Sequence, residues 1–172
     1  GYEHFMLKEI YEQPKTINDT ISPRIKDNDI VIEELNMSDE EIKEITKIHI
    51  VACGSAYHTG VTAKYVIEGL ARIPVEVDVA SEFRYRDPIL QKGNMVIVIS
   101  QSGETADTLA ALRESRERGF KVLGIVNVVG SSIAREADSV MYTWAGPEIA
   151  VATTKAYSAQ LTALYMLAMK FA

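Results

Sequence analysis

From about residue 47 onward, short β-branched runs alternate with longer stretches of helical periodicity, and no other feature restricts the fold as strongly. Lys47–Cys53, Val75–Val79, Met95–Ser100, Val122–Asn127 and Ser139–Thr143 read as strands. Helical patterns over about 56–71, 104–118 and 153–172 follow the first, third and last of them. Strands joined by helices form βαβ units, and their right-handed crossovers generate a parallel sheet. Val96-Ile-Val-Ile99 is apolar at every position, as a central strand covered on both faces must be. The expected fold is α/β: a three-layer sandwich of five parallel strands flanked by helices.

Residues 1–46 follow a different pattern. Phe5, Met6, Ile10, Pro14, Ile17 and Ile21 recur at helical spacing among alternating charges, which predicts two short helices meeting near Pro14 and then a loop. Ser38-Asp-Glu-Glu41 has the capping-box form and predicts a further short helix leading into the core. Two units are therefore expected, a helical N-terminal extension over 1–46 packing on a core over 47–172. The apolar run Leu161–Ala172 has no helix-ending Gly or Pro, which leads us to expect a piece of a longer chain. Gly1 is left out of the fold argument.

Charge and cysteine content narrow the function. The net charge is −6 and the isoelectric point near 5.1, which excludes a partner bound mainly by neutralising a phosphate backbone, so no nucleic acid is expected. The excess is local: the extension carries −7 and the core +1. A single cysteine, Cys53, can form no internal disulfide and is too little for a cysteine-rich zinc site. No apolar run approaches the roughly 18 residues of a membrane span, and no signal peptide is visible. The expectation is a soluble, cytoplasmic protein that does not engage a membrane.

In open parallel sheets, ligands lie beyond the carboxyl ends of the strands, where the strand order switches. Three loops expected there are rich in small hydroxyl residues: Cys53-Gly-Ser-Ala56, Ser100-Gln-Ser-Gly-Glu-Thr105 and Glu148-Ile-Ala-Val-Ala-Thr-Thr-Lys155. The second is the most informative. Ser100 ends a buried strand, Gly103 permits a tight turn, and Thr105 opens a helix whose free N–H groups attract an anion. Ser and Thr are also ordinary helix caps, but three hydroxyls around one Gly exceed what a cap needs and point to a phosphate cradle without a Lys. Thr153 reads as a cap of the last helix. Neither G-x-G-x-x-G after a strand nor G-x-x-x-x-G-K-[ST] occurs, so the usual dinucleotide and P-loop signatures are missing. His4, His49 and His58 are scattered, His49 within a strand as a structural residue and His58 as a packed or solvated one. Cys53 reads as an inert thiol, and Glu104 as a first-turn acid favoured by its own helix dipole.

Cys53-Gly-Ser-Ala-Tyr-His58, Ala80-Ser-Glu-Phe-Arg84, Ser100-Gln-Ser-Gly-Glu-Thr-Ala-Asp-Thr108, Ser131-Ser-Ile-Ala-Arg-Glu-Ala-Asp138 and Ala145-Gly-Pro-Glu-Ile-Ala-Val-Ala-Thr-Thr-Lys-Ala156 together carry a resemblance over nearly the whole chain. The set resembles the first sugar isomerase (SIS) domain of the glutamine–fructose-6-phosphate aminotransferase family, whose fold is flavodoxin- or Rossmann-like. The resemblance implies conversion of fructose 6-phosphate and glutamine to glucosamine 6-phosphate and glutamate, as a step of amino-sugar biosynthesis. It also implies that Ser100, Gln101, Ser102 and Thr105 bind the sugar phosphate, with Ser55 and the Ala56 backbone from the first loop and Val151 and Thr153 from the third. Fructose 6-phosphate, glucose 6-phosphate and glucosamine 6-phosphate are the expected ligands, with no metal and no cofactor. The family usually has Cys-Gly-Thr-Ser where this chain has Cys53-Gly-Ser-Ala56, so Ala56 removes one hydroxyl, worth about 0.5–1.5 kcal/mol if it bonded the ligand. Thr153 keeps a hydroxyl where Ser is more common.

In the family, ring opening, imine formation and the proton transfer between C1 and C2 use a Lys, a Glu and a His. These come from a second SIS domain, its C-terminal tail and a neighbouring subunit. None matches a residue here, so this segment is expected to hold no catalytic residue and to be inactive alone. Its implied partners are the second SIS domain, the glutaminase domain and, in the full-length protein, a second copy. The alternatives are an SIS domain of a related amino-sugar or fructosamine phosphate isomerase or deglycase, or a non-catalytic phosphosugar-sensing module.

Overall fold

The computed structural model describes residues 1–172. Five parallel strands form the central sheet: β3 (Lys47–Ala52), β4 (Val75–Val79), β5 (Asn94–Ser100), β6 (Val122–Val126) and β7 (Ser139–Tyr142). Their spatial order is β4-β3-β5-β6-β7. The expected strands are all present, with Cys53, Asn127 and Thr143 falling just outside them.

Alternation along the strands divides the core into two faces. Ile48, Ile50, Ala52, Ile97 and Ile99 point to one side, where they pack with Ala63 and Ile67 of α4 (Ser55–Leu70) and Ala163, Leu164 and Leu167 of α8 (Lys155–Phe171). Val51, Val96 and Val98 point to the other, against Phe83 of α5 (Ala80–Tyr85), Leu112 of α6 (Ala106–Glu117) and Ile133 of α7 (Ser132–Glu136). Both faces of the central strands are thus covered, which accounts for their unbroken apolar composition. At Gly60, a Cβ would come within 2.8 Å of Ile50 Cγ2, so the absence of a side chain lets α4 lie directly on the sheet.

The short helices α5 and α7 escaped the periodicity reading, since five or six residues are less than two helical turns. In the extension, α1 (Phe5–Tyr11) and α2 (Gln13–Ile21) meet as expected, with Pro14 in the first turn of α2. The predicted loop after them contains a hairpin, β1 (Ile25–Lys26) paired with β2 (Asp29–Ile30). Asp27 and Asn28 connect the two strands with positive φ, a conformation these side chains tolerate, and strands of two residues leave no alternation to detect. α3 (Asp39–Lys43) begins with the complete Ser38/Glu41 capping box.

The extension shares the core of the sheet. Ile32, Leu35 and Ile42 join the α4/α8 face, and Ser139 Oγ donates to the Leu35 carbonyl at 2.7 Å. Arg24 is the strongest tie. Only 1% exposed, it donates to Glu34 Oε1 at 2.6 Å, to the Thr20 carbonyl at 2.8 Å and to the Tyr142 carbonyl of β7 at 2.7 Å. Truncation would strand two carbonyls and open a void. Arg24→Ala is expected to destabilise the chain by about 2–4 kcal/mol in urea unfolding, and an unchanged midpoint would show that the extension is only loosely attached.

Candidate functional site

β3 is the first strand of the sheet; the next, β4, lies on one side of it, and β5 lies on the other. Correspondingly, the helix after β3 packs on one face and the helix after β5 on the opposite face. Their connecting loops diverge and leave a crevice at the strand ends, the usual ligand position in such sheets. The segment between β7 and α8 closes it. The result is a cavity of about 280 Å³ whose lining includes Ser55, Ala56, Ser100, Gln101, Ser102, Thr105, Val151 and Thr153. All eight residues singled out from the sequence therefore meet at one place. Ser100 is almost fully buried, whereas Ser55 and Val151 are exposed at the rim.

The second loop is fixed by its own hydrogen bonds. Ser100 Oγ accepts the Gly103 N–H at 3.0 Å and lies 2.9 Å from Thr105 Oγ1, while Ser102 Oγ accepts the Glu104 N–H at 3.2 Å. The Gln101 carbonyl accepts from Asn127 N–H and the Gly103 carbonyl from Ile133 N–H. Thr105 occupies the N-cap position of α6, but its hydroxyl makes no capping bond, so no side chain closes that helix N-terminus. The same holds at α4, whose N-cap is Gly54 with φ +58°. Simple capping thus does not explain these hydroxyls.

Thr153 does not cap α8, contrary to the sequence reading. The N-cap is Thr154, and the Glu148 carboxylate accepts from the N–H groups of Thr154 (3.2 Å) and Ala156 (2.9 Å). One of three helix N-termini is filled by a carboxylate, and the two after β3 and β5 have no side-chain cap. No Lys or Arg lines the cavity, so the electrostatic attraction available to an anion comes from N–H groups and helix dipoles.

Other sequence candidates lie elsewhere. The Glu104 carboxylate accepts the Ser132 N–H at 2.8 Å, so it serves the N-terminus of α7 instead of its own helix; hydrogen bonding from Ser132 holds its carboxyl below the usual range. Cys53 borders the cavity, and its Sγ accepts from Thr108 Oγ1 at 3.8 Å. His58 is exposed and packs edge-on against Tyr57. His49 is buried beside Asn94, and desolvation lowers its pKa. Glu76 and Asp78 approach His49 in a metal-like grouping, but Arg86 already pairs with both carboxylates and Lys47 with Glu76.

Support from the extension was missed. Glu9 is 2% exposed, and its carboxylate accepts the N–H groups of Ile149 (2.6 Å) and Ala150 (3.3 Å), bracing the loop that carries Val151 and Thr153. Lys155 turns away from the cavity to bond Glu12 Oε2 at 2.6 Å, and this hydrogen bond holds the Glu12 carboxyl below its ordinary range. In a segment of alternating charge, Glu9 and Glu12 look like solvated helix residues, and nothing local distinguishes them. Gln160 of α8, also overlooked, lines the cavity.

Gly103 is the sharpest point of dependence. Its φ is +68°, and a Cβ there would lie 2.0 Å from Ser131 Oγ. Gly103→Ala is expected to cost about 2 kcal/mol or more, from left-handed strain plus this overlap, as measured by urea unfolding; wild-type stability would contradict the loop geometry.

Comparison with known proteins agrees with the fold. The SIS domain family model matches residues 41–170. Glutamine–fructose-6-phosphate aminotransferase [isomerizing] of Clostridium tetani is 64% identical over 173 aligned residues, covering 100% of this chain and 28% of that protein. The chain therefore spans a little over a quarter of the curated relatives it matches. The C-terminal domain of the Francisella tularensis glucosamine-fructose-6-phosphate aminotransferase superposes with a TM-score of 0.92 at 46% identity, over 98% of this chain and 47% of that one. A Thermotoga maritima glucosamine-6-phosphate deaminase shares the fold, with a TM-score of 0.75 at 24% identity over 97% of this chain and 48% of that one. With its five-stranded parallel sheet, its crevice at the strand-order switch and this family match over most of its length, the chain belongs to the SIS domain family.

Proposed function

We propose that this chain is the first SIS domain of a glutamine–fructose-6-phosphate aminotransferase and that its crevice holds the sugar phosphate. The observation that carries the reading is the convergence of Ser55, Ala56, Ser100, Gln101, Ser102, Thr105, Val151 and Thr153 on one cavity beside two helix N-termini without side-chain caps. The 64% identity to the Clostridium tetani enzyme supports it. In the proposed reaction, fructose 6-phosphate and glutamine give glucosamine 6-phosphate and glutamate.

The residues divide the work as follows. Ser100 Oγ accepts the Gly103 N–H, which leaves its own O–H to donate a hydrogen bond to Thr105 Oγ1. The Thr105 O–H can then donate a hydrogen bond to a phosphate oxygen. Ser102 and the first-turn N–H groups of α6 add donors to the same oxygens, and Ser55 with the Ala56 N–H approaches from the first loop. Val151 and Thr153 close the rim from the third loop. No acid, base or amine suited to proton transfer on the sugar lies among these residues. The Lys, Glu and His for that chemistry are assigned to the second SIS domain, its tail and a partner subunit. The remaining assignments belong to the same proposal: a glutaminase domain in the same chain, a homodimeric full-length protein in the cytoplasm, and a division of this chain into extension 1–46 and SIS domain 47–172. No helix is long and apolar enough to cross a membrane.

Fructose 6-phosphate or glucose 6-phosphate at saturating millimolar concentration is expected to raise the melting temperature, because a ligand stabilises the state that binds it. Thr105→Ala should weaken binding about tenfold or more, as expected for loss of a hydrogen bond to a charged group. No thermal shift with either sugar phosphate would overturn the assignment.

A further inference from the structure

We propose that the Gln160 side-chain amide reads the sugar portion of the ligand, through a hydroxyl or carbonyl oxygen, at the floor of the cavity. The inference rests on the sugar-phosphate reading above and adds to it a specificity residue on α8, outside the three loops.

Gln160 lies on α8 and is 4% exposed, among the buried alanines Ala156, Ala159 and Ala163. An amide carries two donors and an acceptor with two lone pairs, and in a buried position these are normally bonded to protein. Here they are not: the Gln160 side chain makes no hydrogen bond to any protein group, although it borders the same cavity as Ser100 and Thr105. The residue is almost wholly enclosed, yet its amide atoms are not among the sealed-off, unpartnered polar atoms of the chain, so what contact they keep is with the cavity that Gln160 lines. A buried, unpartnered amide facing a polar crevice is thus a group kept for a ligand.

Its chemistry separates the two ends of that ligand. The phosphate is matched by the α6 N-terminus and by hydroxyls that can turn their O–H groups to it. Gln160 offers donor and acceptor together and no charge, which suits a hydroxyl, itself both donor and acceptor, or the carbonyl of an opened sugar. The only carboxylate lining the cavity, Glu148, is occupied with the N–H groups of α8. Gln101 carries the same amide in the second loop, beside the phosphate donors, whereas Gln160 enters from α8, away from that loop, and is the amide placed to distinguish a sugar phosphate from phosphate itself.

The test compares wild type with Gln160→Met, which keeps length and packing while removing the amide. Fructose 6-phosphate and inorganic phosphate are titrated into each, with melting temperatures taken without ligand. The expected result is about five- to tenfold weaker fructose 6-phosphate binding, unchanged inorganic phosphate binding, and an unliganded melting temperature equal to or above that of wild type. Gln160→Asn, which retains a shorter amide, should fall between the two in fructose 6-phosphate affinity. Equal fructose 6-phosphate affinity in wild type and Gln160→Met overturns the proposal, as does parallel weakening of both ligands or a lowered melting temperature, which would assign Gln160 a structural role. Failure of wild type to bind fructose 6-phosphate at all overturns the sugar-phosphate reading itself, a result distinct from any difference between variants.

Discussion

The site depends on one topological constraint, the reversal of strand order between β3 and β5. Because β4 is laid on one side of β3 and β5 on the other, α4 and α6 must cover opposite faces of the sheet. Their first turns then flank a gap that no continuous loop can fill. Two helix N-termini without side-chain caps at one crevice are a consequence of the backbone path, and the hydroxyl residues are a local elaboration of it.

That origin explains how an acidic chain can present the proposed anion site without a cation in its lining. The positive potential comes from backbone N–H groups, which cost nothing in side-chain entropy and do not titrate. Nearby acids are held where they cannot oppose it fully: Glu148 satisfies α8, Glu104 satisfies α7, and Glu9 braces the third loop from the extension. Each accepts from backbone N–H groups, so each offsets part of its charge while fixing a segment that borders or supports the cavity.

Much of this was legible in the sequence, for identifiable reasons. The strands are strongly apolar and β-branched, the long helices keep their period over three turns or more, and Ser100-Gln-Ser-Gly-Glu-Thr105 concentrates small hydroxyls where a strand gives way to a helix. What escaped depends on contacts between distant parts of the chain. Glu9 meets Ile149 across 140 positions, and Arg24 meets Tyr142 across 118. Neither residue differs locally from a solvated charge. Thr153 has the residue type of a cap, whereas the bond is made by Glu148, six residues before Thr154. Gln160 sits in a helix rich in alanine, and only the folded chain brings it to the border of the cavity.

A second cavity of about 290 Å³ between α1 and the segment after β7 offers the natural contrast, since Lys8, Lys15 and Lys155 line it, each paired there with Glu12 or Asp19. If lysine charge governed anion binding, a sugar phosphate would go there. If backbone donors at the strand-order switch govern it, the ligand goes to the crevice. The most direct measurement is a two-dimensional amide NMR titration of the 172-residue chain with fructose 6-phosphate. The crevice geometry predicts the largest shifts at Ser55, Ala56 and the amides from Gly103 to Thr108, with small ones around α1. Largest shifts at Lys8, Lys15 and Trp144, with the second loop unmoved, would contradict it.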